Sequence, residues 1–462
     1  MNLRDTHTLR LTPIAMGIFA LACLSCGGVT SLDSTPVDPG SSNGLPSPSA
    51  STVGTGLGPM PTGSTTGTAP TAPTGPAPSG TSTSMPMPDP ASWPQLPPPG
   101  CSGGEAVAQL PAVVAERMAQ LIWGGSADEP LLARVRGLSP YTAGNLGCLA
   151  REMLVDRRAR GGIRKFYMAW LDLNRKPNES YVDPKLVPEF SPLLLDSARI
   201  ATERFIEHVF FEGTGTLREL LLAPYAFSAP ALDLVYGRQS TPGELTQHYF
   251  RGEDRQGIFT QAYFLMTRST ASHGSPTQRG LSVVTSAHCF SSPVPPAGVR
   301  ANATIGDQGT TRTAYDELYA NPVCMSCHVF AGKPGYAFEH FDVLGRFRST
   351  ENGFPVDTRT EVPALPVSLP DSAGNAGGFR AVNGAVDWMN YISSSLAGRQ
   401  CHAAHWLAYA RTFDTDSQHY RELWLTPDRE AIEYVTARTH LADQMDLREL
   451  VVAITETKWF VQ

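Results

Sequence analysis

Beyond residue 100 the apolar positions recur with a helical period. Ile163, Phe166, Tyr167, Trp170 and Leu171 fall at i, i+3, i+4, i+7 and i+8, the stripe that an amphipathic helix turns toward a core. Val114, Met118, Leu121 and Ile122 keep a similar spacing, and 201–211 predicts another helix with Phe205, Ile206 and Val209 inward. Near the end of the chain Asp446 precedes Leu447, Leu450, Val451 and Ile454, with Glu449 at the third place after it. That is the pattern of a capping box opening a C-terminal helix. The Pro- and Gly-rich stretch 353–378 breaks the period and predicts loop with room for a short strand. With no alternating strand series and no fixed-period repeat, the pattern predicts a mainly α fold.

The first hundred residues have no such period. Arg4 and Arg10 precede a short apolar run, Ile14 to Leu24, which suits a signal-peptide core better than a membrane span. Small residues then lead into Ala20-Leu21-Ala22-Cys23 and Leu24-Ser25-Cys26, which resemble a bacterial lipobox. Either Cys23 or Cys26 is therefore the expected lipidation site; an ordinary cleaved signal is the plainer alternative. From Gly27 to Gly100 Pro, Ser, Thr and Gly dominate, as in TGTAPTAPTGPAPSGTSTSMPMPDP from Thr66. Such a segment buries too little apolar surface to offset its ordering entropy and reads as a disordered tether.

Composition adds little beyond this division. Hydrophobic residues make up 41 % of the chain, which suits a globular body diluted by a polar segment. A formal charge of −7 offers no basic footprint, so nucleic acid is not an expected partner. The expected organisation is a lipoprotein signal at 1–26, a linker at 27–100 and a helical domain at 101–245. A second domain, which holds a Cys-x-x-Cys-His string, follows at 246–370 and a C-terminal helical domain at 371–462. The location that follows is the periplasm or cell surface, on a lipid anchor, with the outer membrane the expected membrane.

The chemistry is concentrated in Cys324-Met325-Ser326-Cys327-His328. In C-x-x-C-H the two thiols add across the haem vinyl groups and the histidine ligates the iron. The spacing sets both sulfurs on one helical turn, so one haem c is expected, with Cys324 and Cys327 covalent and His328 axial. Two readings compete: a thiol-disulfide centre, which ordinarily sits on a βαβ pattern missing here, and half a zinc site completed by His402 and His405. Met389 is the leading candidate for the distal iron ligand, against the plain reading of a core methionine; Met266, His340 and Met445 are weaker. Arg346 and Arg348 suit haem propionates or, equally, Glu339 and Asp342 nearby. Cys101, Cys148, Cys289 and Cys401 form an even set in an exported chain. Of their three connectivities, Cys289 with Cys401 and Cys101 with Cys148 is the one expected.

Several separate motifs, in order, resemble the planctomycete-type cytochrome c proteins, secreted multi-domain chains also common in myxobacteria. ERMAQLIWGGSADEPLL from Glu116 and CLAREMLVDRRA from Cys148 resemble the family's opening helices. RQGIFTQAYFLMTRST from Arg255 and SPTQRG from Ser275 resemble the stretch ahead of the haem. TTRTAYDELYANPVCMSCH from Thr310 and GYAFEHFDVLGRFR from Gly335 resemble the haem segment, and DLRELVVAITETKWF from Asp446 the closing helix. Two places depart from the family pattern. Ala331, Gly332 and Lys333 stand where Met-Asp-Pro is usual, and of a usual Tyr-Ala-x-Gly-Arg only Tyr409 and Ala410 remain. The resemblance implies haem more strongly than a role. The expectation is electron transfer with an unidentified redox partner. The alternatives are a haem enzyme of peroxidase or oxidase type with an open iron position, and a surface protein that uses haem as a covalent staple. Whether the chain is an enzyme stays open.

Overall fold

The computed structural model describes residues 109–460 except 139–141, 174–181, 251, 291–307, 367–368, 370–377, 416–417, 427, 442–443 and 459. The lipobox cysteines Cys23 and Cys26, the segment 27–100 and Cys101 lie outside the described residues. The helices run α1 (Pro111–Trp123), α2 (Glu129–Gly137), α3 (Ala143–Val155), α4 (Arg158–Trp170), α5 (Pro192–Phe211), α6 (Leu217–Leu222), α7 (Asp233–Tyr236) and α8 (Ala262–Thr267). They continue with α9 (Pro276–Ala287), α10 (Thr311–Tyr319), α11 (Pro322–Ala331), α12 (Gly384–Ser394), α13 (Leu396–Thr412), α14 (Gln418–Leu425), α15 (Arg429–Arg438) and α16 (Leu447–Thr455). No described helix is long and apolar enough to cross a membrane.

The fold is mainly α. Its centre is α13, buried from Ala397 to Ala410 and packed by α9, α12, α14, α15 and α16, with α1 and α4 also against it. Such enclosure suits a helix with apolar side chains on every side. Here the enclosed polar residues, among them His402 and His405, each need a partner inside. On α4, Ile163, Phe166 and Tyr167 are fully buried as their period predicts, and Phe166 stacks on Trp406 of α13 at 3.6 Å between ring centroids. The stretches 101–245, 246–370 and 371–462 all contribute to this main core.

The C-terminal helix shows how the capping pattern resolves. Asp446 accepts hydrogen bonds from the backbone N–H groups of Arg448 at 2.8 Å and Glu449 at 3.0 Å, which satisfies the open first turn of α16. Glu449 does not close a box. Arg151 of α3 donates to it at 2.7 Å, which joins the two ends of the folded region.

Among the described residues the strands form two-stranded antiparallel sheets. β1 (Tyr225–Ser228) pairs with β2 (Thr246–Tyr249), β3 (Thr350–Glu351) with β4 (Phe354–Pro355), β5 (Arg359–Pro363) with β6 (Phe379–Asn383), and β7 (His440–Leu441) with β8 (Gln444–Met445). The stretch 353–378, expected as loop with a short strand, thus carries β4 and β5. Thr360 of β5 donates to the carbonyl of Lys333 at 2.7 Å, so this hairpin braces the segment that follows α11.

Candidate haem-attachment site

Helices α10 and α11 are joined through Ala320 and Asn321. Thr310 caps α10 through a reciprocal box with Thr313. Pro322 opens α11, where its missing N–H costs no helical hydrogen bond. At 100° per residue, Cys324, Cys327 and His328 fall within an arc of about 100° on α11. Cys324 is buried, while Cys327 and His328 are half-buried. The donor set therefore lies on one face of a single helix, as attachment of one haem requires.

His328 is suited to bind a metal ion. Burial pushes its pKa below the ordinary imidazole value, so the ring is neutral with a lone pair at neutral pH. Its face lies against Tyr319 at 4.8 Å, with 24° between the ring planes, and no hydrogen bond to either ring nitrogen is present among the described residues. Cys324 is disulfide-bonded. A sulfur in that state cannot also bond a vinyl carbon, so thioether formation there requires the thiol to be restored first.

The segment around α11 is fixed to the body by close backbone contact and by buried arginines. A Cβ added at Gly280 of α9 would lie 2.0 Å from the carbonyl oxygen of Ala331, and one at Gly335 would lie 1.8 Å from that of Pro276. Only glycine at both places lets α9 and the 3₁₀ turn Lys333–Phe338 meet backbone to backbone. Arg279, fully buried, donates to the carbonyl of Phe341 at 2.7 Å and to that of Asp342 at 2.8 Å. Burial lowers its pKa only to about 10, so it keeps its charge. Arg255 donates to the carbonyls of Thr260 and Gly345 and lies over the rings of Tyr236 and Phe341. The motifs around Arg255 and Ser275 thus have a mechanical meaning, since they supply the arginines that hold the stretch after α11.

A separate aromatic cluster of Tyr315, Tyr319 and Tyr336, with Leu318 and Met325 against it, lies beside His328. Tyr336 donates to Asp316 at 2.8 Å, and the Tyr319 hydroxyl lies 2.8 Å from Thr277 Oγ1 of α9. Below it Glu339 is buried, with Oε1 lacking a partner, and burial pushes its pKa up to about 7 despite Arg348 at 3.4 Å. None of these tyrosines stood out in the sequence, because a tyrosine ending the helix before the motif carries no spacing signal.

The remaining candidates have other places. Met389 is fully buried on α12 in the main core, as are Met266 and Met445, rather than in the tyrosine cluster beside His328. His340 hydrogen-bonds Asp254. Arg346 pairs with Asp342 at 2.6 Å and Glu189 at 3.0 Å, and Arg348 with Glu351 and Glu339, so both arginines take carboxylate partners within the chain. His402 meets the Tyr167 hydroxyl at 3.2 Å; His405 meets that of Tyr420 at 2.8 Å and the Thr285 carbonyl at 3.3 Å. Burial lowers both pKa values to about 3, which keeps the rings neutral. Cys289 and Cys401 are joined sulfur to sulfur beside His405, with Cα atoms 5.5 Å apart, and Cys148 is also disulfide-bonded.

Comparison with known families gives two matches. Residues 255–351 match a family described as a protein of unknown function (DUF1588), designated PSCyt3, and residues 111–237 match another so described (DUF1592), designated PSD4. No curated protein and no solved structure matches the chain. The first match contains Cys324, Cys327, His328 and both buried arginines, and the second covers the opening helices through α7. Both are domain families of the planctomycete-type cytochrome c proteins, which this chain resembles over these two stretches.

Proposed function

We propose that this protein is an exported c-type cytochrome that carries one haem c on Cys324, Cys327 and His328 and transfers electrons to a partner at the cell envelope. The observation that carries this reading is the placement on one face of α11 of the two cysteines and a neutral histidine that makes no hydrogen bond through either ring nitrogen among the described residues. It is supported by the match of that stretch to a cytochrome c domain family. When bound, haem supplies an iron that cycles between two oxidation states. The chain's part is to hold the imidazole neutral, to keep water from it with the tyrosine cluster, and to fix α11 against α9. Lipidation at Cys23 or Cys26 would anchor the protein through the Pro-, Ser-, Thr- and Gly-rich stretch 27–100. The Cys289–Cys401 bridge belongs to the same reading of an oxidising compartment.

The test is an optical spectrum of protein produced with a cytochrome maturation system, in both oxidation states, with haem staining after denaturing electrophoresis. The expected result is haem retained on the denatured chain and a low-spin spectrum. Wild-type protein without haem overturns the reading. A high-spin ferric spectrum that responds to peroxide transfers it to the haem-enzyme class.

A further inference from the structure

Tyr319 occupies a position that its surroundings strongly determine. It is the last residue of α10, 2 % exposed, and the short connection to α11 brings its ring flat over His328. Thr277, on a different helix, holds the hydroxyl at 2.8 Å, and Tyr315 and Tyr336 pack around the ring. The third element is Gly332. Its φ of −76° is one any residue adopts, so backbone conformation does not call for glycine. Space does: an added Cβ would lie 2.2 Å from the Tyr319 hydroxyl and 3.0 Å from Nδ1 of His328. Gly332 therefore leaves open the one volume that lets the tyrosine reach Thr277 while stacked on the imidazole.

An axial imidazole is ordinarily oriented by a hydrogen bond at its second nitrogen, and the shell around it governs water access and potential. His328 makes no such bond among the described residues, and the group holding its plane is the Tyr319 ring. We infer that Tyr319 is the positioning residue of His328. It fixes the plane of the axial ring and screens it from water, and it depends on Thr277 for its anchor and on Gly332 for its space. The inference rests on the haem reading above.

The experiment uses holoprotein of wild type, Tyr319→Phe, Tyr319→Leu and Gly332→Ala. Low-temperature electron paramagnetic resonance of the ferric state reports axial-ring orientation, and the midpoint potential reports solvation of the iron. Tyr319→Leu removes the flat ring, and Gly332→Ala drives it from its place. Both should change the g-values and lower the potential, because water favours the more charged ferric state. Tyr319→Phe keeps the flat ring but loses the Thr277 anchor, and should shift both readouts in the same direction by less than Tyr319→Leu. A purely structural role would lower the melting temperature of Tyr319→Leu and leave g-values and potential unchanged. That outcome, with haem content intact, overturns the inference while sparing the cytochrome reading. Should Tyr319→Leu fail to fold, Gly332→Ala decides by the same two readouts. Wild-type protein without haem overturns both proposals together.

Discussion

Helices α11 and α13 each bring cysteine and histidine together, and they use them in opposite ways. On α13 the imidazoles of His402 and His405 are enclosed and committed: Tyr167 takes one, Tyr420 and Thr285 the other, and the Cys401 sulfur is bonded to Cys289. On α11 the imidazole of His328 is half-buried and, among the described residues, is held by its face against Tyr319. The imidazoles are structural in one helix and open to ligation in the other. What separates them is that His402 and His405 each meet a hydroxyl or carbonyl through a ring nitrogen, whereas His328 meets none among the described residues. A zinc site shared between Cys324, Cys327, His402 and His405 would need His402 and His405 to give up these partners within a closed core.

The contrast can be broken most severely at α11. Replacing Cys324 and Cys327 together by alanine should abolish haem retention through denaturing electrophoresis, while the circular dichroism of the helical body stays close to wild type. At α13 the corresponding change is thermodynamic. Cys289→Ala with Cys401→Ala removes a cross-link spanning 112 residues and should cost about 4–5 kcal/mol in denaturant unfolding, with no loss of haem.

A smaller effect separates the two regions by pH. The folded pKa values of His402 and His405, about 3, lie below the ordinary 6.5, so the unfolded chain binds more protons and stability falls as pH drops below 6.5. At pH 5 this amounts to about 2 kcal/mol for each histidine. Glu339 has the opposite sign. Its folded pKa, about 7, lies above the ordinary 4.5, so its contribution is full below 4.5 and is lost as pH rises toward 7. Arg348, Arg279 and Arg312 oppose that rise and Glu351 adds to it. Unfolding midpoints between pH 5 and pH 7 check both signs. Glu339→Gln should steepen the gain of stability with pH, and the double variant His402→Gln, His405→Gln should flatten it. His288 and His273, lowered to about 3 and about 4 by burial, together keep the double variant from reversing the slope. The smallest effect belongs to the surface. Arg134→Ala breaks a pair with Glu152 in which both side chains are more than half exposed, and should change stability by no more than about 0.5 kcal/mol.

The parts of the fold legible in the sequence are those governed by local periodicity. The buried faces of α1, α4 and α5 follow from apolar spacing, and Asp446 reads as a cap because a carboxylate just before an apolar period has open N–H groups to accept from. Glu449 reads wrongly as the other half of a box, because its actual partner, Arg151, lies 298 residues away along the chain. The β1–β2 ladder leaves no trace, since Thr246, Gln247, His248 and Tyr249 do not alternate and are not buried. At the site, the attachment motif is legible as a string, whereas Tyr319, Thr277 and Gly332 become a group only once α9, α10 and α11 are folded together.

The contact of α9 with the turn after α11 bears on how the Cys-x-x-Cys-His segment could be transplanted. Residues 311–351 look like a cassette to be cut out and set on another scaffold. The glycine pair makes that excision incomplete, because Gly335 fits only against the backbone of α9, and Gly280 only against the end of α11. The smallest portable unit therefore begins no later than α9 and carries Arg279 with it. A designer who borrows the motif without that helix inherits a haem with nothing to seat it.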